Sequence, residues 1–466
     1  MSFTANQILG LVSGANFETE GWYNRTNRRR IFRDFPQGQF PLTGFLSLMD
    51  TEPCDSYKFG WFEKRMPDLS TTIVTHTNGA FCAAHSSTAV ASDSTFTAGT
   101  EYRCYLSDVS LFAVGQQVLF DDLPITGGAF APLQGIVTSV VSTTSPGSYI
   151  QFHCVETLTN VLMNDNTITG IPKGPKGQKV LIMGTANVEG GTSGSGRMFP
   201  PIDVENYTQI FRNSFEFTAT GLKIPTEFDS SGAYAEAAED ALREHMVEME
   251  LAFLFGSKGV QLITGTDSVA RPRRTTGGII WYLKQWEKVD SIYRLGTGAP
   301  AVTRNDDDLK RIIDLTGAIT AAKFDEFIER AFRCTNTKTF EKIVMCGNGF
   351  LRSVNNYLSA KATLYKEFSV QKVYGNDVVT WVSPWGTLHF KSHPLFNQQS
   401  ILRNNGLIID INRLRFRPLN DRDTTLLPNR QANDVDGRKD EWLTEAGLET
   451  QFPESHMYIR NLTSIT

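Results

Sequence analysis

The chain has 466 residues, a net charge of −5, and 40% hydrophobic against 20% charged residues. That length exceeds what one core supports, so two or three domains are expected; the balance excludes a disordered chain and one that binds nucleic acid through its overall charge. No run of about 18 apolar residues offers a membrane span, and Ile8–Val12, with no Lys or Arg before it, is too short an apolar core for a secretory signal.

In chain order, residues 1–45 hold five arginines and no lysine: Arg25, Arg28, Arg29, Arg30 and Arg33 against Glu18, Glu20 and Asp34. The pattern is irregular and broken by Pro36, Gly38 and Pro41, so it predicts an extended arm. Its Trp22, Tyr23, Ile31, Phe32 and Phe35 need a surface to dock on, since an arm exposing them would be a sticky tail. The arginines are candidate contacts to a neighbouring subunit or to phosphates, with a solvated basic face as the plainer alternative. Tyr57–Glu63 alternates like a strand and Lys64-Arg65-Met66-Pro67 follows as a turn, which predicts a hairpin or projecting loop.

Between His76 and Pro200 only 13 of 125 residues are charged, while 15 of the 38 glycines fall there. β-type runs at Ser110–Phe120, Gly135–Ser142, Tyr149–Val155 and Lys179–Met183 predict a small β-barrel or sandwich, closed by the flexible Gly190–Gly196 linker. Gln209–Phe211 and Phe215–Thr220 read as strands leading into one long helix. That helix runs from an N-cap at Ser230 or Ser231 to a left-handed cap at Gly256. Ala235, Ala238, Leu242, Met246, Met249 and Phe253 form its apolar stripe. A change such as Met246→Asp is therefore expected to stop folding or assembly. Arg271–Gly278 reads as a basic, turn-rich connector. Beyond it come a Thr320-capped helix to Phe332, a buried strand at Ile343–Cys346 and a helix over Gly347–Tyr365. Strands over Val378–Phe390, Gly406–Ile411 and Leu414–Pro418 follow.

Candidate chemistry is sparse. Cys54, Cys82, Cys104, Cys154, Cys334 and Cys346 are far apart without zinc spacing and read as mostly buried thiols of a reducing compartment. His389 and His393 would lie about 13 Å apart along a strand with no third ligand, so they read as unrelated loop histidines. His245 with Glu244 and Glu248 reads as a solvated or interface salt-bridge face of the long helix. Asp121-Asp122 and Asp306–Asp308 sit in turn contexts, and neither Gly170–Gly177 nor Gly190–Gly196 matches a phosphate loop. No nucleophile elbow, metalloprotease motif or nearby Cys/His pair is present, so no catalytic residue, metal or cofactor is assigned and no enzyme is expected.

The order of the pieces carries a resemblance. A basic arm leads through Phe40-Pro-Leu-Thr-Gly-Phe-Leu46 to Trp61-Phe62-Glu63, then to a β-rich insertion opening near Phe112-Ala-Val-Gly-Gln-Gln-Val-Leu119. Asn206-Tyr-Thr-Gln-Ile-Phe211, one acidic spine helix and an α/β region follow, and the chain closes with Glu441-Trp442-Leu443 and Pro453–His456. This layout resembles the tailed-bacteriophage major capsid proteins of the Hong Kong 97 phage type, an α+β fold also used by encapsulin shells.

The resemblance implies an N-terminal arm over 1–50, an extended loop over 51–77 and a β-rich insertion domain over 78–200. It further implies a peripheral domain with the spine helix over 201–300, an axial domain over 301–400, and C-terminal strands returning to the peripheral domain over 401–466. It also implies pentamers and hexamers building an icosahedral head around double-stranded DNA contacted non-specifically. Portal, scaffold or decoration proteins would be partners, there would be no membrane contact, and assembly would occur in the host bacterial cytoplasm before the protein enters the virion. Lys58, Trp61, Glu63 and Lys64 fall in the implied loop, and Leu242, Met246, Met249 and Phe253 in the spine helix. The alternatives are an encapsulin-type nanocompartment and a β-rich host-binding or tail protein.

Overall fold

A computed structural model describes residue 42 and residues 51–64, 69–73, 82–84, 93–125, 129–142, 148–162, 179–187, 189–190, 201–223, 233–264, 270–287, 310–315, 317–333, 340–360, 369–373 and 376–465. Arg25–Arg33, the Ser230/Ser231 cap, Asp306–Asp308, Gly170–Gly177 and all of the Gly190–Gly196 linker but Gly190 lie outside them. The chain divides into two units. One comprises residues 60–205 and 283–311; the other comprises residues 1–59, 206–282 and 312–466.

Strand β1 (Lys58–Glu63) alternates exposed and buried residues, so Phe59, Trp61 and Glu63 share the inner face. The first unit is then built on a nine-stranded antiparallel sheet. Its strands are β2 (Ser70–Thr72), β3 (Cys82–Ala84), β4 (Asp93–Phe96), β5 (Glu101–Tyr105), β6 (Gln116–Ile125), β7 (Ala129–Val141), β8 (Tyr149–Cys154), β9 (Leu158–Leu162) and β10 (Lys179–Thr185). The sheet order is β2-β10-β6-β7-β8-β5-β3, with β9 pairing β4 and β6. The sheet curls: Ile73 bridges Leu106, and the Ser107 amide donates to the Thr72 carbonyl at 3.0 Å. One core fills it, with Phe96, Tyr102, Phe120 and Phe152 in an aromatic cluster whose closest centroids are 4.7 Å apart. The expected strand over Ser110–Phe120 begins only at Gln116. Residues 110–115 form a turn that tucks Phe112 into the core, its amide donating to the Val109 carbonyl at 3.1 Å.

β11 (Ile202–Tyr207) pairs with β1. β12 (Gln209–Thr218) is one unbroken strand where two were expected, because the polar Arg212-Asn213-Ser214 keeps the alternation of faces. After α1 (Ala219–Lys223) comes the long helix α2 (Ala233–Phe255). Gly256 is not left-handed, contrary to the expected cap. A Cβ there would sit 2.3 Å from the Ala252 carbonyl oxygen, and the Gly278 amide donates to the Gly256 carbonyl at 2.9 Å. The glycine is needed for close backbone approach at the helix end, not for its φ.

The expected connector at Arg271–Gly278 is instead half of a hairpin, β13 (Gly259–Thr264) with β14 (Ala270–Thr275), followed by α3 (Ile279–Glu287). Four arginine and threonine side chains in β14 hid a strand behind a polar composition. Further on lie β15 (Ile312–Asp314), β16 (Ala318–Ile319), α4 (Ala321–Arg333), β17 (Glu341–Cys346) and α5 (Asn348–Ala360). The Thr320 hydroxyl caps α4 by accepting from the Lys323 amide at 3.4 Å, as expected.

β18 (Ser369–Val373), β19 (Asn376–Ser383) and β20 (Gly386–Ser392) form two successive hairpins. The single strand expected over Val378–Phe390 is therefore split at Pro384-Trp385, where Ser383 and Gly386 close the turn. α6 (Pro394–Gln398), β21 (Gly406–Ile409), β22 (Leu414–Pro418), β23 (Thr425–Leu427), β24 (Gly437–Thr450), β25 (Met457–Arg460) and β26 (Ser464–Ile465) complete the chain.

The second unit thus holds two layered assemblies, an α+β arrangement. A mixed seven-stranded sheet, β15-β25-β21-β17-β20-β19-β18, packs with α4 and α5 around one core. A four-stranded antiparallel sheet places β24 between β12 on one side and β22 and β23 on the other. Against this sheet lies α2.

Candidate assembly surfaces

The seating of α2 is set by polar groups as much as by its apolar stripe. Its buried face is Ala241, His245, Met249, Glu250, Phe253 and Leu254. Met249 and Phe253 are therefore in the core as expected, while Leu242 and Met246 are only half-buried. The helix is turned so that His245, expected on a solvated face, points inward. Its Nδ1 lies 2.7 Å from Asn213 Oδ1 and its Nε2 2.7 Å from Thr444 Oγ1. Burial lowers the His245 pKa, which keeps the ring neutral between these two partners. Phe211 meets His245 and Phe253 edge-on, and the Trp442 indole N–H donates to the Ala238 carbonyl at 3.0 Å.

Toward the start of the helix, the Tyr234 hydroxyl donates to Asp440, which also accepts from Arg438 and the Asn429 amide. Burial acts to raise Asp440, but these donors outweigh it and hold the carboxyl below the ordinary aspartate value. Toward the end, the fully buried Glu250 Oε1 lies 3.0 Å from His393 Nε2 and accepts from the Leu42 amide at 2.8 Å. Leu42, the described residue of the expected arm, is thus held on the spine helix. His393 is no loop histidine but the junction between β20 and α6, and His389 lies buried in β20 beside Thr380.

β24 carries a row of carboxylates, each facing an arginine. Glu441 meets Arg212 at 3.2 Å and Arg430 at 3.4 Å, Glu445 meets Arg422 at 2.7 Å, and Glu449 meets Arg417 at 3.4 Å. Arg417 and Arg422 meet these partners as ion pairs out of hydrogen-bond alignment. Arg417 also holds Glu52 at 2.5 Å, while Cys54 donates its amide to the Pro418 carbonyl. This strap fixes residues 51–55 along β22. Sequence reading missed it because one Glu every four residues in a strand carries no motif.

In the expected loop, Trp61 Nε1 donates to Glu63 Oε1 at 2.8 Å, and both side chains are buried. Lys58 and Lys64 are exposed, and Phe62 between them is 75% exposed. Among the described residues no three His, Cys, Asp or Glu side chains are grouped to hold a metal ion. Cys54, Cys104, Cys154 and Cys346 are buried free thiols, and burial pushes Cys346 up to about 12. No helix among the described residues is long and apolar enough to cross a membrane. What the surface offers is straps, exposed apolar side chains and charged strips, the features of a protein that meets other chains.

The comparisons with known proteins agree in kind. The major capsid protein of Pseudomonas phage PaMx41 is 28% identical over 236 residues, and the match spans about half of each chain. Among solved structures, one of Mycobacterium phage Adephagia is similar with a TM-score of 0.37 at 8% identity, covering 97% of this chain and 98% of that one. The cyanophage A-1(L) capsid asymmetric unit is similar with a TM-score of 0.36 at 12% identity, covering 58% of this chain and 81% of that one. The profile of the family described as SU10 major capsid protein matches residues 28–463, through both units and from the arginine arm to the last strands. The chain belongs to the SU10 major capsid protein family.

Proposed function

We propose that this protein is the subunit of an icosahedral phage head of the Hong Kong 97 type. Its copies join as pentamers and hexamers into a closed shell around double-stranded DNA, assembled in the cytoplasm of the host bacterium. The observation that carries this reading is the family match over residues 28–463. Its role is structural and involves no catalysis. Rings of identical heterologous contacts close into pentamers and hexamers, and their joining makes a shell. Arg25, Arg28, Arg29, Arg30 and Arg33 are the proposed contacts of the arm to a neighbour or to packaged DNA. Lys58, Trp61, Glu63 and Lys64 belong to the proposed extended loop. The arm over 1–50, loop over 51–77, insertion over 78–200, peripheral region over 201–300, axial region over 301–400 and returning strands over 401–466 are its proposed domains.

The test is sedimentation and negative-stain imaging of the protein purified alone and after co-expression with its genomic neighbours, the source of any scaffold, portal or decoration protein. Closed shells or five- and six-membered rings support the reading. Shells that enclose an enzyme in place of nucleic acid would make it a nanocompartment. A stable monomer or trimer under every condition would sink the capsid reading.

A further inference from the structure

The hairpin of β13 and β14 is left largely bare by the described residues of its own chain. All of β13 after Gly259, and β14 from Ala270 to Arg273, are exposed. A two-stranded ribbon alone in water is marginally stable, so one this exposed needs a covering surface. Its register sorts the side chains. Val260 pairs with Arg274 and Leu262 with Pro272 on one face, while Gln261 pairs with Arg273 and Ile263 with Arg271 on the other. The ribbon is amphipathic: Leu262, 74% exposed, stands on the apolar face and two arginines on the basic one. Its base is fixed, because the Arg274 guanidinium lies 3.9 Å from the centroid of the Tyr57 ring.

The matching surface is on the spine helix. The outward stripe of α2 carries Glu239, Asp240, Glu244, Glu248 and Leu251. Arg243 neutralises the first two from within the helix. Glu244 and Glu248 have no ion-pair partner among the described residues, and neither has Arg273. The spacings agree: residues two apart on a strand lie about 6.8 Å apart, and residues one turn apart on a helix about 6 Å. With Arg273 at Glu244, the next pair on the basic face, Ile263 and Arg271, comes level with Glu248. The ribbon projects from the C-terminal end of α2 and does not fold back on this stripe in its own chain.

We infer that the basic face of the β13–β14 ribbon docks on the Glu244–Glu248 stripe of α2 in a second copy of this chain. The inference rests on the capsid reading above. One subunit gives the ribbon and takes another's, a heterologous contact that propagates around a ring.

The experiment uses the full chain co-expressed with its genomic neighbours and reads the assembled fraction by sedimentation, with circular dichroism and thermal unfolding of the free subunit as folding controls. Arg271→Glu with Arg273→Glu is expected to lower the assembled fraction by about tenfold or more, as is Glu244→Lys with Glu248→Lys, since like charges then face each other. All four changes together are expected to restore assembly to within about threefold of wild type, because the pairs are remade with opposite sign. In wild-type background, Arg273→Cys with Glu244→Cys is expected to give disulfide-linked oligomers on mild oxidation. If both double reversals assemble normally, or if each fails and the fourfold variant is not rescued, the docking is wrong. Particles of normal yield that lose nucleic acid when the arginines are reversed would place the ribbon on nucleic acid and overturn the inference. A wild-type chain that never assembles would sink the capsid reading itself, a result separable from the others.

Discussion

Buried histidines give the second unit its pH behaviour. Burial lowers His245 and His389, and it takes His456 down to about 3, with Lys342 and Arg413 adding positive repulsion. In the unfolded chain each imidazole titrates near its ordinary value of about 6.5. Between that value and the lowered one, the unfolded state holds more protons than the folded state. Stability is therefore fully present above about pH 6.5 and is lost as the pH falls below it. His456 goes on contributing to the loss down to about pH 3. Asp410, raised by burial, works the other way from the ordinary aspartate value upward. Urea unfolding of the free subunit is expected to show stability dropping by about 1 kcal/mol or more per pH unit below 6. A His456→Gln variant is expected to show a shallower slope, and an unchanged slope would remove His456 from the account.

The neighbouring Lys342, 1% exposed, donates to the Ala331 carbonyl at 2.6 Å and the Ser455 carbonyl at 2.5 Å, tying the end of α4 to the last turn before β25. Lys342→Met keeps the length of the side chain and removes the donors. Two buried carbonyls left unpaired are expected to cost about 2–5 kcal/mol, read as a fall in the urea midpoint. A loss below about 0.5 kcal/mol would mean that water takes the place of the ammonium group.

At the scale of elements, α2 shows what the sequence could and could not say. Its length and position were legible because 3.6-residue periodicity survives over six turns. The rotation was not, since His245 read as part of a solvated or interface face and nothing singled out Glu250 until Asn213, Thr444, His393 and Leu42 are brought to them from up to 208 positions away. The difference is measurable. Met249 is 3% exposed in the core, while Met246 is half-buried beside it. Met249→Ala is expected to cost about 2–4 kcal/mol of subunit stability, and Met246→Ala no more than about half as much. Equal losses would put the helix back in the rotation that apolar spacing alone suggests. The same contrast separates strands from turns. The turn at Ser383-Pro384-Trp385-Gly386 was passed over inside one long apolar run that holds both β19 and β20, and the arginines of β14 masked a strand that only its pairing with β13 reveals.

For the whole molecule, the proposed shell assembly accounts for what one copy leaves exposed. The β-rich stretch, the long helix and the α/β region could be read in order because each change of composition marks a change of element. The arm's arginines remain proposals, since Arg25–Arg33 lie outside the described residues. The exposed apolar side chains are a different matter: Phe62 and Ile401 are each 75% exposed, and Val114 is 62% exposed. In a shell subunit such positions are covered by neighbours, so they contribute to assembly and not to the fold of one copy. Phe62 is the sharpest instance, because its strand alternates and the inner face is already filled by Phe59, Trp61 and Glu63. Phe62→Ser is expected to leave the unfolding midpoint of the free subunit within about 0.5 kcal/mol of wild type. The assembled fraction is expected to fall at low protein concentration and to recover as concentration rises, since the lost contact weakens association by mass action. If the variant instead unfolded early as a free subunit, Phe62 would belong to the fold, and the outer face of β1 would be part of a core within the chain.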